Sequence, residues 1–271
     1  MIVWIDYAKG QNYQSAQQAA QYLNDKLHSC GVTSVIVRGN EVSYARPELA
    51  VAVGGDGTVI RAMKRWSPEG VPVIGLNAGD VGFLCAGETK GNWRQQIADF
   101  ARFIAGKQYQ VEERAVLQVN GYPGSYVNEV ALTAIGTQEY PFALARYRVE
   151  TETGVVWEEA HARSIILATQ TGSTGLNASS GGLISRPGED HVLTAGNPQT
   201  GDLHSMYVPT IPGKPLRITL LEQLHDATVV LTADGKNIGY EYGIDYHGLK
   251  VGQTVTITMA TQPMLLATRG I

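Results

Sequence analysis

The chain has little of the chemistry that marks exported, membrane-bound or nucleic-acid-binding proteins. Cys30 and Cys85 are its only cysteines, too few for the disulfide framework of an exported domain. No apolar run approaches the ~20 residues of a membrane helix, and no basic tract stands in a sequence of net charge −4. The first residues lack the basic start and long apolar stretch of a signal peptide. We therefore expect a cytoplasmic protein with free thiols, without a membrane or nucleic-acid partner.

Glycine and apolar side chains are abundant. The 271 residues include 31 glycines, and 44% are apolar, which is enough for a substantial core with many tight turns. This length suits one large domain or two smaller ones. Up to about residue 106 short apolar runs alternate with helical stretches, and from residue 107 strand patterns dominate. The pattern predicts an α/β domain over 1–106 and a mainly β domain over 107–257.

The first part of the chain predicts a parallel sheet covered by helices, because strands and helices alternate there. The predicted strands are Ile2–Asp6, Val35–Val37, Leu49–Val53 and Pro72–Leu76, and the predicted helices are Ser15–Ser29 and Asn92–Ala105. In such a fold, ligands bind at the carboxyl ends of the strands.

The second part predicts strands over 115–119, 125–132, 143–151, 155–160, 165–168, 216–221, 228–233 and 254–259. Five prolines between 186 and 215 predict a long irregular loop. Residues 176–183 are compatible with a helix that ends in a glycine cap.

The most informative motif is Gly54-Gly55-Asp56-Gly57-Thr58, which directly follows the predicted strand Leu49–Val53. A glycine-rich turn before a helix brings backbone N–H groups and the helix N-terminus to phosphate oxygens. A carboxylate repels phosphate, so Asp56 fits a turn in which it polarises a hydroxyl nucleophile or holds a metal that bridges phosphates. The alternative is an ordinary turn in which Asp56 caps the helix.

Three further clusters follow predicted strands or lie in them. Asn77 to Phe83 repeats the pattern of a strand and a glycine turn, which a simple loop would also produce. Asn128 and Glu129 lie in an apolar strand, where neighbours point to opposite faces unless the strand ends or bulges. The segment 169–175 combines glycines with the hydroxyls of Thr171, Ser173 and Thr174, as a loop contacting ribose or phosphate would. The histidines show no metal-ligand spacing, so no protein metal site is predicted.

The order and approximate spacing of these clusters resemble the NAD kinase family over nearly the whole chain. The matching segments are Gly54 to Thr58, Asn77 to Phe83, Asn128-Glu129, Gly172 to Leu176 with Gly181-Gly182, and Asp234-Gly235. The resemblance implies an active site in the cleft between an α/β domain and a mainly β domain. It also implies a C-terminal tail, 258–271, that returns to the first domain, and a homodimer or homotetramer.

The resemblance further implies a reaction. A γ-phosphoryl group would pass from ATP or polyphosphate to the adenosine 2′-hydroxyl of NAD, giving NADP, with Mg²⁺ neutralising the phosphates. Asp56 would act as base or orient the hydroxyl. The other implied nucleotide- or substrate-binding residues are Gly54, Gly55, Gly57, Thr58, Asn77, Phe83, Asn128, Glu129, Thr171, Ser173 and Thr174.

Two positions depart from the family pattern. Arg163 stands where the family has an aspartate that recognises the nicotinamide side, and Leu176 replaces an aromatic residue that contacts the substrate in the family. A guanidinium favours a phosphate or carboxylate, so Arg163 is a candidate binding residue for an anionic hydroxyl acceptor other than NAD, such as a nucleotide or sugar phosphate. Alternatively, Arg163 is a surface residue displaced in the alignment. A non-catalytic nucleotide-binding protein is the remaining possibility, although Asp56 argues against it.

Overall fold

The computed structural model describes residues 1–8, 14–37, 46–79, 82–186, 188–199, 204–209, 213–238 and 248–270. It forms two compact units, one of Met1–Glu113 with Pro263–Ile271 and one of Arg114–Gln262. The sequence pattern had placed this boundary a few residues earlier, at 106/107. No helix in the described part of the chain has the length and apolarity needed to cross a membrane.

The first unit is the predicted α/β domain. Its helices are α1 (Gln14–Ser29), α2 (Asp56–Trp66) and α3 (Trp93–Ala105). Its strands are β1 (Ile2–Tyr7), β2 (Thr33–Ile36), β3 (Leu49–Val53), β4 (Val73–Asn77), β5 (Cys85–Glu88), β6 (Gln110–Arg114) and β17 (Met264–Thr268). The strand order is β2-β1-β3-β4-β17-β6, and β5 pairs with β4.

Strand β1 pairs in parallel with β2 and β3. Strand β4 pairs in parallel with β3, β5 and β17. Strand β3 is buried along its whole length, which explains its unbroken apolar run, because helices cover both faces of a parallel sheet. Val53 lies opposite Leu76. The turns that follow β3 and β4 therefore leave the same edge of the sheet side by side.

The second unit is the predicted mainly β domain. Its strands are β7 (Leu117–Val119), β8 (Glu129–Ile135), β9 (Ala145–Thr151), β10 (Gly154–Ala168), β11 (His191–Pro198), β12 (Ser205–Val208), β13 (Leu216–Gln223), β14 (Thr228–Ala233), β15 (Lys236–Asn237) and β16 (Thr254–Met259). They form an antiparallel sheet in the order β15-β14-β8-β10-β9-β13-β16-β7, with β11 paired to β10 and β12 paired to β11. One short helix, α4 (Leu176–Ser179), follows β10.

Several predicted elements differ from the structure. The expected loop over 186–215 contains β11, which pairs with β10, and β12, which pairs with β11. Pro198 is the last residue of β11 and Pro209 follows β12, so neither proline interrupts a strand. The strands expected over 155–160 and 165–168 are one strand, β10. Helix α4 ends at Ser179 instead of reaching residue 183. Four further strands were not predicted, β5, β6, β15 and β17, since they are short and β6 is mostly polar.

Candidate functional site

Asp56 is the first residue of α2 and joins two motif turns. Its carboxylate accepts hydrogen bonds from the backbone N–H groups of Leu84, at 2.9 Å, and Phe83, at 3.1 Å. A negative charge at this position is also favoured by the helix N-terminus. Asp56 thus fixes the turn after β4 against the turn after β3.

The glycines before Asp56 differ in what they require. Gly54 has φ +156°, and a Cβ there would lie 2.4 Å from the Oγ1 of the buried Thr58. Gly55 precedes the helix with an extended backbone that other residues adopt. Gly57 is exposed and has open space around it. Backbone geometry and packing therefore require glycine at position 54. At positions 55 and 57 they do not, so the absence of a side chain there would serve the approach of a ligand.

The second turn buries its amide and exposes its aromatic ring. The Oδ1 of Asn77 accepts the Gly79 N–H at 3.0 Å, and a Cβ on Gly82 would lie 2.7 Å from the Asn77 amide carbon. Phe83 is 75% exposed although its own N–H is bonded to Asp56. Asp80 and Val81 lie outside the described residues. The turn thus exposes the ring of a residue whose backbone N–H binds the Asp56 carboxylate.

Cys85 lies behind this turn and is not a nucleophile. Burial raises the pKa of its thiol to about 12, and the charge of Asp56 acts in the same direction. Its Sγ lies 3.7 Å from the carbonyl oxygen of Gly54. Since the thiolate is the reactive form, Cys85 serves as a packing residue.

A cavity of about 630 Å³ opens beside the second turn within the first unit. Asn77 and Phe83 line one side of it, and Glu88, Lys90 and Arg269 contribute charges of both signs. The Arg269 side chain donates to the carbonyl oxygen of Ala86. The cavity extends the surface around Phe83 along β5.

In the second unit, Asn128 and Glu129 stand where β8 begins. The backbone N–H of Asn128 donates to Asp234 Oδ1 at 2.7 Å, and that of Val127 donates to Asp234 Oδ2 at 3.3 Å. In return, the Gly235 N–H donates to Glu129 Oε1 at 3.1 Å. Because Asn128 precedes the strand, the rule of opposite faces does not separate it from Glu129.

Glu129 is 4% exposed. Burial raises the pKa of its carboxyl group to about 7, and the charge of Asp234 raises it as well, while the hydrogen bond from Gly235 lowers it. Burial and the nearby carboxylate of Asp234 therefore favour a neutral Glu129 at mildly acidic pH.

In the loop after β10, one of the three predicted hydroxyl groups binds backbone atoms near the loop, and the other two reach its surface. The buried Ser173 Oγ lies 2.9 Å from the carbonyl oxygen of Gln170 and 3.1 Å from that of Ser185, and its single proton donates to one of the two. Thr171 is partly exposed and Thr174 is exposed. Ser173 therefore organises the loop, and Thr171 and Thr174 are the members of the predicted set that reach its surface.

The comparisons with known proteins identify the family. A family model described as the ATP-NAD kinase N-terminal domain matches residues 7–102. The NAD kinase of Symbiobacterium thermophilum is 32% identical over 199 residues, which cover 72% of this chain and 67% of the relative. The NAD kinase of Thermobifida fusca is 31% identical over 244 residues, which cover 86% and 68%. The chain belongs to the NAD kinase family.

Solved structures in this family share the fold. An NAD kinase from Archaeoglobus fulgidus in complex with ATP matches with a TM-score of 0.72 and 18% identity, over 98% of this chain and 93% of that chain. Yeast NADH kinase complexed with NADH matches with a TM-score of 0.73 and 16% identity, over 98% and 83%. The turns containing Asp56 and Phe83 both lie within the range of the NAD kinase family model.

The two departures from the NAD kinase pattern lie in the second unit. Arg163 is partly exposed on β10, between Ala162, which pairs with Ala145, and Ser164, which pairs with Thr133. The described residues give Arg163 no ion pair. Leu176 is the first residue of α4 and is 41% exposed.

Asn177 was not predicted from the sequence. It is fully buried, and its Nδ2 donates to the carbonyl oxygens of Ser173, at 3.0 Å, and Leu183, at 2.7 Å. Its Oδ1 accepts the Thr194 hydroxyl at 2.6 Å. A Cβ on Gly182 would lie 2.1 Å from that oxygen. The available signal was Gly181-Gly182, since paired glycines indicate a close approach.

Proposed function

We propose that this protein acts as an ATP-dependent NAD kinase, which phosphorylates the 2′-hydroxyl of the adenosine ribose of NAD and gives NADP. Membership in the NAD kinase family supports this activity. The structural observation that carries the proposal is the Asp56 carboxylate, which is fixed in the turn after β3 by the backbone N–H groups of Leu84 and of Phe83, whose ring is exposed.

Asp56 is suited to receive the proton of the attacking hydroxyl. Each carboxylate oxygen accepts one backbone N–H and retains capacity for a second hydrogen bond. The bond from O2′ to the γ-phosphorus forms while the bond from that phosphorus to the ADP oxygen breaks, and the hydroxyl proton passes to Asp56. Gly54, Gly55, Gly57 and Thr58 form the turn that leads the N-terminus of α2 toward the phosphates.

Each unit carries groups suited to bind part of a nucleotide. The ring of Phe83 offers a stacking surface for adenine, and Asn77 orders the turn that carries it. Asn128 and Glu129 are suited to the ribose hydroxyls. In the loop after β10, Thr171 and Thr174 supply exposed hydroxyls, while Ser173 maintains the shape of the loop.

Mg²⁺ fits this site as part of Mg·ATP. The described residues contain no group of three or more His, Cys, Asp or Glu side chains that could hold the ion by themselves. Mg²⁺ in kinases is commonly bound by one or two carboxylates together with substrate phosphates. Bound there, the ion would neutralise phosphate charge during transfer. Asp56 is the carboxylate in the first turn that is available to assist.

The cellular setting follows from the same proposal. Cys30 and Cys85 are both free thiols, which suits a reducing cytoplasm. We expect a homodimer or homotetramer. Size-exclusion chromatography with light scattering, and fractionation of the source cells, check these two expectations.

The activity is tested by incubating purified protein with Mg·ATP and NAD and detecting the product by mass spectrometry. An NADP-specific dehydrogenase then distinguishes the 2′-phosphate from its 3′ isomer. Parallel reactions replace ATP with polyphosphate, and NAD with NADH or with nucleotides and sugar phosphates that carry a free hydroxyl. The result expected is ATP-dependent formation of NADP. Phosphorylation of an anionic acceptor without NADP would overturn the choice of acceptor, and nucleotide binding without any product would overturn catalysis.

A further inference from the structure

Four hydrogen bonds tie the turn between β14 and β15 to the start of β8. Asp234 accepts the backbone N–H groups of Val127 and Asn128 with its two carboxylate oxygens. The Asp234 N–H donates to the carbonyl oxygen of Glu129 at 3.1 Å, and the Gly235 N–H donates to its carboxylate. Each segment thus uses one carboxylate to hold the backbone of the other, across 106 residues of sequence.

The opposite side of the same segment is also held. The N–H of Thr169 donates to the carbonyl oxygen of Asn128 at 2.8 Å, and the Thr169 hydroxyl donates to that of Val127. Gly172 packs so closely that a Cβ there would lie 2.1 Å from the Asn128 oxygen. With its N–H and its carbonyl both engaged, the Asn128 backbone has one orientation, and this orientation sets the direction of its side chain.

The turn itself does not require an aspartate. Asp234 and Gly235 both have positive φ, at 48° and 73°, and a two-residue turn of this kind accepts Asn-Gly or Gly-Gly equally well. The carboxylate is required by its two backbone donors. An asparagine offers one oxygen, and its amide would place a donor against a donor.

We propose that Asp234 is a positioning residue that fixes the backbone of Asn128 and sets the electrostatic environment of Glu129, and thereby orders the part of the site that binds the phosphoryl acceptor. The assignment of Asn128 and Glu129 to the acceptor rests on the proposed function. The positioning itself rests on the four hydrogen bonds alone.

The charge of Asp234 adds a second, independent consequence. Among the described residues, Asp234 is the charged group that acts on Glu129, and it raises the pKa of that buried carboxyl group. The Gly235 N–H opposes it. Removing the charge while keeping the turn should therefore lower the pKa of Glu129 and increase its ionised fraction near neutral pH.

The kinetic test compares Asp234→Asn with Asp226→Asn. Asp226 is a matched control, because it has φ +55° in the exposed turn between β13 and β14 and makes no side-chain hydrogen bond in the described part of the chain. For Asp234→Asn we expect the KM for NAD to rise about ten- to a hundredfold, the loss typical of hydrogen bonds to a charged group, with a smaller change in kcat. Its pH profile of kcat/KM should move to lower pH near neutrality, and Glu129→Gln should abolish that shift.

A test without activity uses amide hydrogen exchange followed by mass spectrometry or NMR. The N–H groups of Val127 and Asn128 should exchange at least tenfold faster in Asp234→Asn, and at the wild-type rate in Asp226→Asn. Asp234→Gly, which adopts positive φ without strain, should give the same acceleration if Asp234→Asn does not fold. Unchanged exchange at both amides in a folded variant would overturn the inference. If the wild type makes no NADP but the exchange pattern holds, the proposed function fails and the positioning role stands.

Discussion

In each unit, one aspartate carboxylate accepts two backbone N–H groups from a segment that is distant in sequence. In the first, Asp56 accepts the backbone N–H groups of Phe83 and Leu84, and in the second, Asp234 accepts those of Val127 and Asn128. Both carboxylates thereby fix a motif that is distant in sequence. Asp56 stands at the N-terminus of α2, whereas Asp234 stands in a hairpin turn beside a second carboxyl group.

This difference separates a group suited to chemistry from a group suited to positioning. The helix N-terminus stabilises the charge of Asp56. Each of its carboxylate oxygens accepts one backbone N–H and keeps a lone pair for a substrate. Asp234 stands in the hairpin turn between β14 and β15, and its charge acts on Glu129. Accepting two backbone amides therefore does not by itself identify a catalytic aspartate, because both residues do so.

The largest expected effect is on turnover, in Asp56→Asn. The amide cannot take the hydroxyl proton, so we expect kcat to fall about 10²- to 10⁴-fold, the usual cost of losing a general base. Circular dichroism and steady-state kinetics measure fold and turnover, with Asp25→Asn on the exposed face of α1 as the control. If Asp56→Asn mainly raised the KM for NAD and changed kcat less, as expected of Asp234→Asn, the two carboxylates would share one role and the comparison would fail.

The next effect is on stability and comes from Glu129. Its pKa is raised from 4.5 to about 7, so between these pH values the folded state binds a proton that the unfolded state releases. Its contribution to the free energy of unfolding therefore falls as pH rises through this window, by on the order of 3 kcal/mol. Glu129→Gln should match the wild type near pH 4.5 and be more stable at pH 8, by urea unfolding.

His191 also changes the stability of the wild type with pH, so the dependence on Glu129 is clearer from the difference in unfolding free energy between the wild type and Glu129→Gln than from the wild type alone. Burial lowers its pKa to about 4 from 6.5, so its contribution to stability rises with pH between those values and opposes that of Glu129. Subtracting the Glu129→Gln curve from the wild-type curve removes the His191 contribution. Glu139→Gln, at an exposed position in the same unit, is the matched control. An equal response from both variants would contradict the assignment.

A smaller effect is expected from Gly172→Ala. The new Cβ would lie 2.1 Å from the carbonyl oxygen of Asn128, which the Thr169 N–H already holds. We expect about 1–3 kcal/mol of destabilisation, as in other overpacked sites. In Gly175→Ala the nearest atom lies at 3.5 Å, an ordinary contact, so that variant is the control. Equal urea midpoints for the two variants would show that the loop after β10 does not constrain Asn128.

The sequence predicted the first unit's site better than the second's. The five apolar residues of β3 lead directly into Gly54 and Asp56, so strand, turn and helix are encoded within one short segment. The sequence did not predict the contacts of Asp234 and Asn177, because their partners belong to other elements. Asp234, for example, binds the backbone of Asn128, which is 106 residues away in sequence. Strands β11 and β12 were missed for a related reason, since the pairing of β11 with β10 and of β12 with β11 outweighs the local signal of the prolines.

The smallest expected effect is that of Arg163→Ala, and it decides between the two acceptors. An arginine that binds a phosphate or carboxylate contributes about 1.5–3 kcal/mol, whereas a surface arginine away from such a ligand contributes within about 0.5 kcal/mol. Because Arg163 is partly exposed on β10 and forms no ion pair among the described residues, we expect kcat/KM for NAD to change about twofold or less, and Arg163→Asp to behave in the same way. A tenfold or greater loss with an anionic acceptor, together with improved use of NAD by Arg163→Asp, would instead show that the second unit recognises an anion. The two units would then differ in how closely each follows the family, with the phosphoryl-transfer turn retained and the acceptor site altered.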